Sequence, residues 1–251
     1  MIVLAVDTAT EMVSVALVDG DELLGASEAR SERRHAEDLT PMLDFVIKRA
    51  GLEFADVDAI AVDVGPGLFT GMRVGIAAAQ SLAHVLSVPL VGVDALEAMV
   101  NGANGVVGAE LVVPTVDARR NEVAWALHRV RDDGSTQRVM APTVGTREDL
   151  VLALRDRAQS CLMLGEYALT HRDSVVAELG PQSWTVAFGD SATAYPHAKH
   201  VALLAHARLV RDSSYLDEAG IVDDSSSAPR VAALYLREAD AEINWVTRSR
   251  Q

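Results

Sequence analysis

A twelve-residue pattern that occurs twice constrains the fold of this chain more than any other feature. Residues 6–17 and 116–127 share Val, Asp, Val, Ala and Leu at the same five offsets. Each segment follows a β-rich run and contains a polar turn, which is typical of a hairpin of two strands. A repeated supersecondary unit indicates a duplicated architecture. The sequence therefore predicts two α/β lobes, each of which begins with such a hairpin.

Helical and extended patterns alternate along the rest of the chain, as they do in α/β lobes. The predicted first helix ends at Gly51, a typical C-terminal residue of a helix, and Pro41 is expected to bend it. The predicted strands cover 57–64, 89–93 and 161–164. Helices are predicted over 31–50, 146–158, 170–179 and 194–210, and a helix of small residues follows a glycine-rich turn and ends near 86.

These elements suggest a division of the 251-residue chain into three parts. We expect a first lobe over 1–100, a second lobe over 101–230 and a C-terminal tail over 231–251. The helix at 194–210 could pack back on the first lobe. Because the chain is short for two full lobes, the second lobe is expected to be reduced.

Three glycines mark the junction between the strand at 57–64 and a helix of small residues. Gly65, Gly67 and Gly71 allow positive φ angles and close backbone approach, and the amides at the helix start could face a phosphate. Their spacing fits neither the G-x-x-x-x-G-K-[ST] phosphate loop nor the G-x-G-x-x-G dinucleotide turn. Close packing is therefore favoured over direct phosphate contact.

The stretch 65–83 resembles a motif of the universal tRNA threonylcarbamoyladenosine family. Residues 2–10 resemble the family's first strand and turn, 117–123 its D-A-R-x-x-E-V motif, and 235–237 its C-terminal Y-L-R. The resemblance covers most of the chain and is weakest between about 128 and 230. It implies a two-lobed actin-like α/β fold of the ASKHA class, which includes sugar kinases, Hsp70 and actin.

The family has a catalytic branch, TsaD, whose His-His-x-x-x-His run holds a metal. The ligand positions are occupied here by Ala95 and Met99. Alanine has no donor atom, and a thioether is a poor ligand for the ions that histidine sites bind. The resemblance therefore implies no metal site and no independent catalysis, and it places the chain in the shorter branch that activates the catalytic subunit.

For this shorter branch the resemblance implies a function in protein contact. The implied partners are TsaD in a heterodimer, the ATPase TsaE and, for the isolated chain, a second copy in a homodimer, with tRNA bound only through the complex. No cofactor of its own is implied, although ATP or ADP could bind at the complex interface. The implied interface residues lie on two helices and are His35, Leu39, Met42, Leu43, Val46, Met72, Ile76, Ala79, Gln80 and Ala83.

His35 also aligns with a histidine of the catalytic branch. On sequence alone, one histidine beside the charged residues 33–38 is expected to be a solvated helix residue.

Two aspartates end the matched strands and would face each other across a cleft between the lobes. In an actin-like enzyme Asp7 and Asp117 could position a metal-bound phosphate or a water molecule. An aspartate at such a junction commonly caps its own turn, and this role is favoured. The candidate residues for a nucleotide cleft are Asp7, Thr8, Gly65, Gly67 and Asp117.

Charge and composition restrict the functions further. A formal charge of −14 without a Lys/Arg-rich patch disfavours independent nucleic-acid binding and favours a basic partner. The single cysteine, Cys161, is expected to be a core residue. Because the N-terminal apolar run lacks a basic leader and no stretch approaches a membrane span, the expectation is a soluble, cytoplasmic protein that does not contact membranes.

Two other functions stay open as alternatives. The first is an ATP-dependent actin-like enzyme, either the threonylcarbamoyl transferase itself or a small-molecule kinase. The second is a hydrolase acting on glycoproteins or peptides, for which the sequence offers no G-x-S-x-G elbow and no zinc spacing. His197, His200 and His206 lie on one helix without a further Cys or His pair, so they do not predict a metal site.

Overall fold

The fold is taken from a computed structural model, which describes residues 1–31, 34–103, 108–132, 134–180, 186–211 and 231–236. The arginine of the Y-L-R motif, Arg237, and most of the predicted C-terminal tail lie outside these residues. No helix in the described part of the chain is long and apolar enough to cross a bilayer.

The first lobe is built on a five-stranded mixed sheet with the order β3-β2-β1-β4-β5. β1 pairs antiparallel with β2 and parallel with β4, and helices α1 and α2 pack together against one face of the sheet. The elements are β1 (Ile2–Asp7), β2 (Met12–Asp19), β3 (Glu22–Arg30), α1 (His35–Ala50), β4 (Ala59–Asp63), α2 (Phe69–Leu86) and β5 (Leu90–Val93).

A helix at the lobe junction, α3 (Ala95–Gly102), precedes a second lobe with the same sheet order, β8-β7-β6-β9-β10. β6 again pairs antiparallel with the next strand and parallel with β9. The elements are β6 (Leu111–Arg119), β7 (Glu122–Val130), β8 (Thr136–Thr146), α4 (Arg147–Arg157), β9 (Cys161–Leu164), α5 (Glu166–Thr170), α6 (Arg172–Leu179), β10 (Val186–Phe188) and α7 (Ala198–Arg211).

The repeat in the sequence therefore corresponds to a repeat in structure, because β1–β2 and β6–β7 are matching hairpins in matching sheets. The predicted two-lobed actin-like α/β fold is confirmed. The second sheet keeps all five strands, while its last strand has three residues and the helices α5 and α6 have five and eight.

Two helices cross from one lobe to the other. α7 follows the second lobe in sequence but packs on the open face of the first sheet, through Val201, Ala202 and Ala205. α3 follows the first sheet but packs on the second, through Leu96, Met99 and Val100. The core of each lobe therefore includes a helix that comes directly after the other lobe in the sequence.

Ion pairs reinforce this junction. Arg138 on β8 pairs with Asp94, the N-cap residue of α3, and with Glu97 at 3.2 Å. Arg208 on α7 binds the same Glu97 at 2.6 Å and donates to the Gly92 carbonyl at 2.6 Å. These contacts join β8, α3, α7 and the end of the first sheet.

Several elements differ from the sequence-based prediction. The strands β3 and β8 were not predicted because they are half-exposed edge strands, whose pattern of charged and apolar residues does not alternate regularly. The helix predicted over 170–179 begins earlier and is divided into α5 and α6. Cys161 is buried in β9, as predicted, and burial raises the pKa of its thiol to about 12.

Candidate functional site: the glycine turn, the interlobe cleft and the outer face of α2

The glycine turn packs directly against the turn of the first hairpin. A Cβ atom on Gly67 would overlap the Ala9 carbonyl oxygen, and one on Gly71 would overlap the Thr8 carbonyl oxygen. The Leu68 amide donates to the Ala9 carbonyl at 2.6 Å, and the Thr8 hydroxyl donates to the Gly71 carbonyl at 2.7 Å. These glycines therefore allow close backbone packing, which was the favoured interpretation of the motif.

Two buried aspartates lie side by side at the ends of the strands that lead into these turns. Asp7 ends β1 and Asp63 ends β4, the parallel strand next to it, and at most 1% of either residue is exposed. The Asp7 carboxylate accepts from the Ala9 amide at 2.9 Å, and Asp63 accepts from the Gly65 amide at 2.7 Å. Each aspartate thus caps its own turn.

Their burial changes their acidity. Loss of solvation raises the pKa of Asp7 to about 7 and raises the pKa of Asp63 well above its ordinary value. The neighbouring Asp7 charge raises the pKa of Asp63 further. The sequence analysis did not identify Asp63 as a candidate site residue. Its position at the end of a buried apolar run, which it shares with Asp7, could have indicated it.

The matching aspartate of the second lobe lies in a different environment. Asp117 accepts from the Arg119 amide at 2.7 Å and pairs with the Arg119 guanidinium at 3.3 Å. It lines the space between the lobes, whereas Asp7 is enclosed. The expectation that the two aspartates face each other across an open cleft is therefore wrong, because Asp7 lies on the face of the first sheet that α7 covers.

The interlobe cleft has a volume of about 370 Å³, including the solvent at its mouth. Glu11 on the first lobe pairs with Arg30 at 2.9 Å and with Arg119 of the second lobe at 3.5 Å. The Arg30 contact lowers the pKa of Glu11, and burial raises the pKa of Glu166. The lining residues are Ala9, Thr10, Glu11, Leu68, Thr115, Val116, Asp117, Arg119, Glu166, Tyr167, Ala194 and Tyr195.

Only one of the five candidate nucleotide residues belongs to this lining, namely Asp117. Thr8 and Gly65 are buried like Asp7, and Gly67 packs on the Ala9 backbone. The glycines of this turn therefore do not line the cleft, because the backbone of the first hairpin occupies the space in front of the turn.

Most of the implied interface residues point into the monomer. Their side chains belong to the core between α1, α2 and the first sheet, and none exposes more than 8% of its surface. The prediction that these side chains form a docking surface is therefore corrected for Leu39, Leu43, Val46, Met72, Ile76, Ala79 and Ala83. Met42 and Gln80 are half-buried, and Gln80 donates to the Val231 carbonyl at 3.1 Å.

His35 is buried rather than solvated. Its Nε2 donates to the Thr10 carbonyl at 2.8 Å, which joins the start of α1 to the first hairpin turn. His35 therefore stabilises that turn. The expectation that it lies at a partner surface is corrected.

We expect His35→Ala to lower the free energy of unfolding by about 1–3 kcal/mol, because the Thr10 carbonyl would lose its buried donor. Urea unfolding followed by circular dichroism measures the effect. His84→Ala, at an exposed position of α2, is the control and should change stability by less than about 0.5 kcal/mol. Equal losses for both variants would contradict this role.

The side of α2 opposite its buried residues is uncharged and mostly apolar, although its half-buried members Val74 and Ala78 touch the edge of the core. We call Val74, Ala77, Ala78, Ser81 and Val85 the outer face of α2. Val85 is 78% exposed, and none of the five residues carries a charge. On α1, Phe45 is 52% exposed.

A C-terminal segment, residues 231–236, borders this face. The Leu234 amide donates to the Val64 carbonyl at 2.7 Å, and Arg73 donates to the Tyr235 hydroxyl at 3.2 Å. Together with the Gln80 contact, these bonds fix the segment along the flank of α2 that carries Arg73 and Gln80. The outer face of α2 lies beyond that flank.

The positions that correspond to metal ligands in the catalytic branch are apolar core. Ala95 and Met99 lie on α3 and are at most 4% exposed. Among the residues that the structure describes, no group of three or more His, Cys, Asp or Glu side chains could hold a metal. His197 pairs with Glu28, and His200 pairs with Asn101.

Comparison with known proteins gives the family. The model of TsaD, tRNA N6-adenosine threonylcarbamoyltransferase, matches residues 28–245. The Escherichia coli tRNA threonylcarbamoyladenosine biosynthesis protein TsaB is 38% identical over 57% of this chain and 64% of its own length. The Bacillus subtilis TsaB is 26% identical over 98% of both chains.

A solved structure, YeaZ from Pseudomonas aeruginosa, is 31% identical and superimposes with a TM-score of 0.69 over 84% of this chain and 93% of its own. The match to the E. coli protein spans just under two thirds of that relative's length. The chain belongs to the TsaD family of tRNA N6-adenosine threonylcarbamoyltransferases, in its TsaB/YeaZ branch.

Proposed function

We propose that this chain is a non-catalytic subunit in tRNA threonylcarbamoyladenosine biosynthesis, which activates TsaD by forming a heterodimer with it. The observation that carries the proposal is the apolar outer face of α2. The names of the TsaB relatives support the pathway, and the TsaD family match supports the choice of partner.

A surface helix typically presents apolar residues to the core and polar residues on the opposite face. α2 buries Met72, Ile76 and Ala79 in the core and presents small or apolar residues on its opposite side as well. The chain carries a net charge of −14, which repels other acidic proteins. An uncharged helix face is a part of its surface where a partner can bind without that repulsion. The small residues allow a partner helix to approach closely.

The interface proposed here shares only Met42 with the residues expected from sequence. It consists of the outer face of α2 together with Met42 and Phe45 of α1. The buried apolar residues that were expected at the interface lie instead in the core beneath these helices. The same face would join two copies when the chain is isolated. We propose that the ATPase TsaE joins this pair and that tRNA is bound only through the complex.

The geometry of the glycine turn argues against independent nucleotide chemistry. The amides of Ala9, Gly65 and Leu68 already donate to groups of the chain itself. A phosphate at this turn would have to compete with these buried bonds. We therefore assign no cofactor to the chain alone and propose that ATP or ADP binds at the complex interface.

The proposal is tested by light-scattering chromatography of the chain mixed with TsaD from the same organism. The wild type should form a heterodimer, and Ala77→Glu and Val85→Glu should each weaken it at least about tenfold, because a charge would be buried at the contact. Leu152→Glu, at an apolar position on α4 that is 58% exposed, is the control and should bind like the wild type.

Loss of binding in the Leu152→Glu control, or full binding in both α2 variants, would contradict the proposed surface. Failure of the wild type to bind TsaD, together with ATP turnover by the isolated chain, would favour the ATP-dependent enzyme instead.

A further inference from the structure

The Asp7 and Asp63 carboxyl groups leave two oxygens without a donor. The Oδ1 atom of each group accepts a backbone amide, from Ala9 and from Gly65. The Oδ2 atom of each group is fully buried and has no hydrogen-bond partner. An ionised carboxylate contains acceptors only, so two such oxygens in one enclosed space repel each other unless a cation lies between them.

The two groups are close enough to interact directly. They end neighbouring parallel strands, with Val6 opposite Val62 in the register, and their carboxyl groups lie within reach of a side-chain hydrogen bond. Burial raises the pKa of both groups. A carboxylic acid beside a carboxylate satisfies both Oδ2 atoms with one proton.

The charged groups around the pair do not neutralise two carboxylates. Asp94 at the start of α3 and Glu28 on β3 are negative and act against ionisation of Asp63 and Asp7, respectively. His197, just before α7, acts in the opposite direction on Asp7.

The charge of His197 follows from its hydrogen bonds. Its Nδ1 contacts the Glu28 carboxylate at 3.0 Å, and its Nε2 contacts the Ala192 carbonyl at 3.1 Å. Because both partners are acceptors, both ring nitrogens must donate, and the Glu28 contact raises the pKa of His197. The positive charge of His197 is already paired with Glu28. If both aspartates were ionised, the pair would therefore carry excess negative charge.

We propose that Asp7 and Asp63 share one proton at neutral pH, and that this proton holds the first hairpin turn against the turn that leads into α2. Asp7 is linked to the first turn through Ala9, and Asp63 is linked to the second through Gly65. A metal ion would require more ligands than two enclosed carboxylate oxygens supply. The inference does not depend on the proposed partner.

The direction of the pH effect follows from the raised pKa values. A folded-state pKa above the unfolded value makes a contribution to stability that is complete below about pH 4 and is lost as pH rises through the folded pKa. For Asp7 this window ends near pH 7, and the raised pKa of Asp63 acts in the same direction. Loss of the shared proton should loosen both turns.

Carbon-13 NMR of aspartate carboxyl groups between pH 4 and 9 tests the proposal on the intact chain. In the wild type, one proton should be released by the pair near or above pH 7, and the Ala9 and Gly65 amides should become less protected from hydrogen exchange relative to their intrinsic rates at each pH. In Asp63→Asn the new amide can donate to Asp7, so the titration midpoint of Asp7 should fall by at least about two units.

The control is Asp117→Asn, which changes the matching, half-exposed aspartate of the second lobe and should leave the neutral titration unchanged. The proposal is overturned if both buried carboxyls of the wild type titrate near pH 4, or if the neutral titration persists in Asp63→Asn. It is also overturned if EDTA shifts the titration, because the occupant would then be a metal ion. The wild-type titration decides these points even if Asp63→Asn does not fold.

Discussion

Gly67→Ala should destabilise the first lobe by about 3 kcal/mol or more, although it adds one methyl group. The added Cβ would occupy the position of the Ala9 carbonyl oxygen, which is part of the backbone and cannot rotate away. The glycine turn or the hairpin turn would have to shift, and the Leu68–Ala9 hydrogen bond would be lost. Overpacking of this kind exceeds the cost of most surface substitutions. Urea unfolding at constant pH measures the loss.

Gly25→Ala is the matched control for this prediction. Gly25 lies in β3 with ordinary contacts to Val46 at 3.5 Å, so a methyl group fits without displacement. Its stability should be unchanged or higher by about 0.5 kcal/mol, since alanine loses less conformational freedom than glycine on folding. If Gly67→Ala were as stable as Gly25→Ala, the close packing of the two turns would be refuted.

Ala79→Glu and Ala77→Glu should separate the two sides of α2. Ala79 is fully buried in the core of the first lobe, whereas Ala77, two residues earlier, is exposed. Ala79→Glu would bury an unpaired carboxylate and should cost about 3–5 kcal/mol in the free energy of unfolding. Ala77→Glu should keep the stability of the wild type within about 0.5 kcal/mol and affect only association.

Thermal unfolding of the two variants, compared with their binding to TsaD, is the decisive measurement. A folded, stable Ala79→Glu protein would show that α2 does not pack on the sheet as described. An unfolded Ala77→Glu protein would show that the outer face of α2 is part of the monomer's own core. Binding experiments with charges at Val46 or Ala79 alone would report unfolding, because both residues are buried.

Local sequence patterns predicted the duplicated hairpins well, because alternation of apolar residues and polar turns is imposed by the short-range geometry of strands. They also predicted α1 and α2, and the ends of these helices at Gly51 and near Leu86 agree with the structure. The sequence analysis also favoured turn capping over catalysis for Asp7 and Asp117, and both residues cap their turns. An aspartate bonds to the amide two residues later in the chain, so the contact is local.

The predictions for α1 and α2 failed where they required a choice between two apolar faces of one helix. Leu39, Val46, Ile76 and Ala79 satisfy the pattern of a docking surface and of a core equally well. Sequence periodicity gives the position of a residue around a helix but not which neighbour lies there. Only the packing of both helices on β1, β2 and β4 distinguished the core face from the outer face.

The sequence by itself determined the features of this protein that depend on neighbouring residues: the repeated hairpins, the C-terminal ends of α1 and α2, the glycine turn and the capped aspartates. The tertiary structure alone decided the exchange of α3 and α7 between lobes, the enclosure of Asp7 beside Asp63, and the side of α2 that is left uncovered. The physical reason is that burial, pKa and surface availability depend on segments that meet only after the chain has folded, such as Asp7 and Asp63 on adjacent strands.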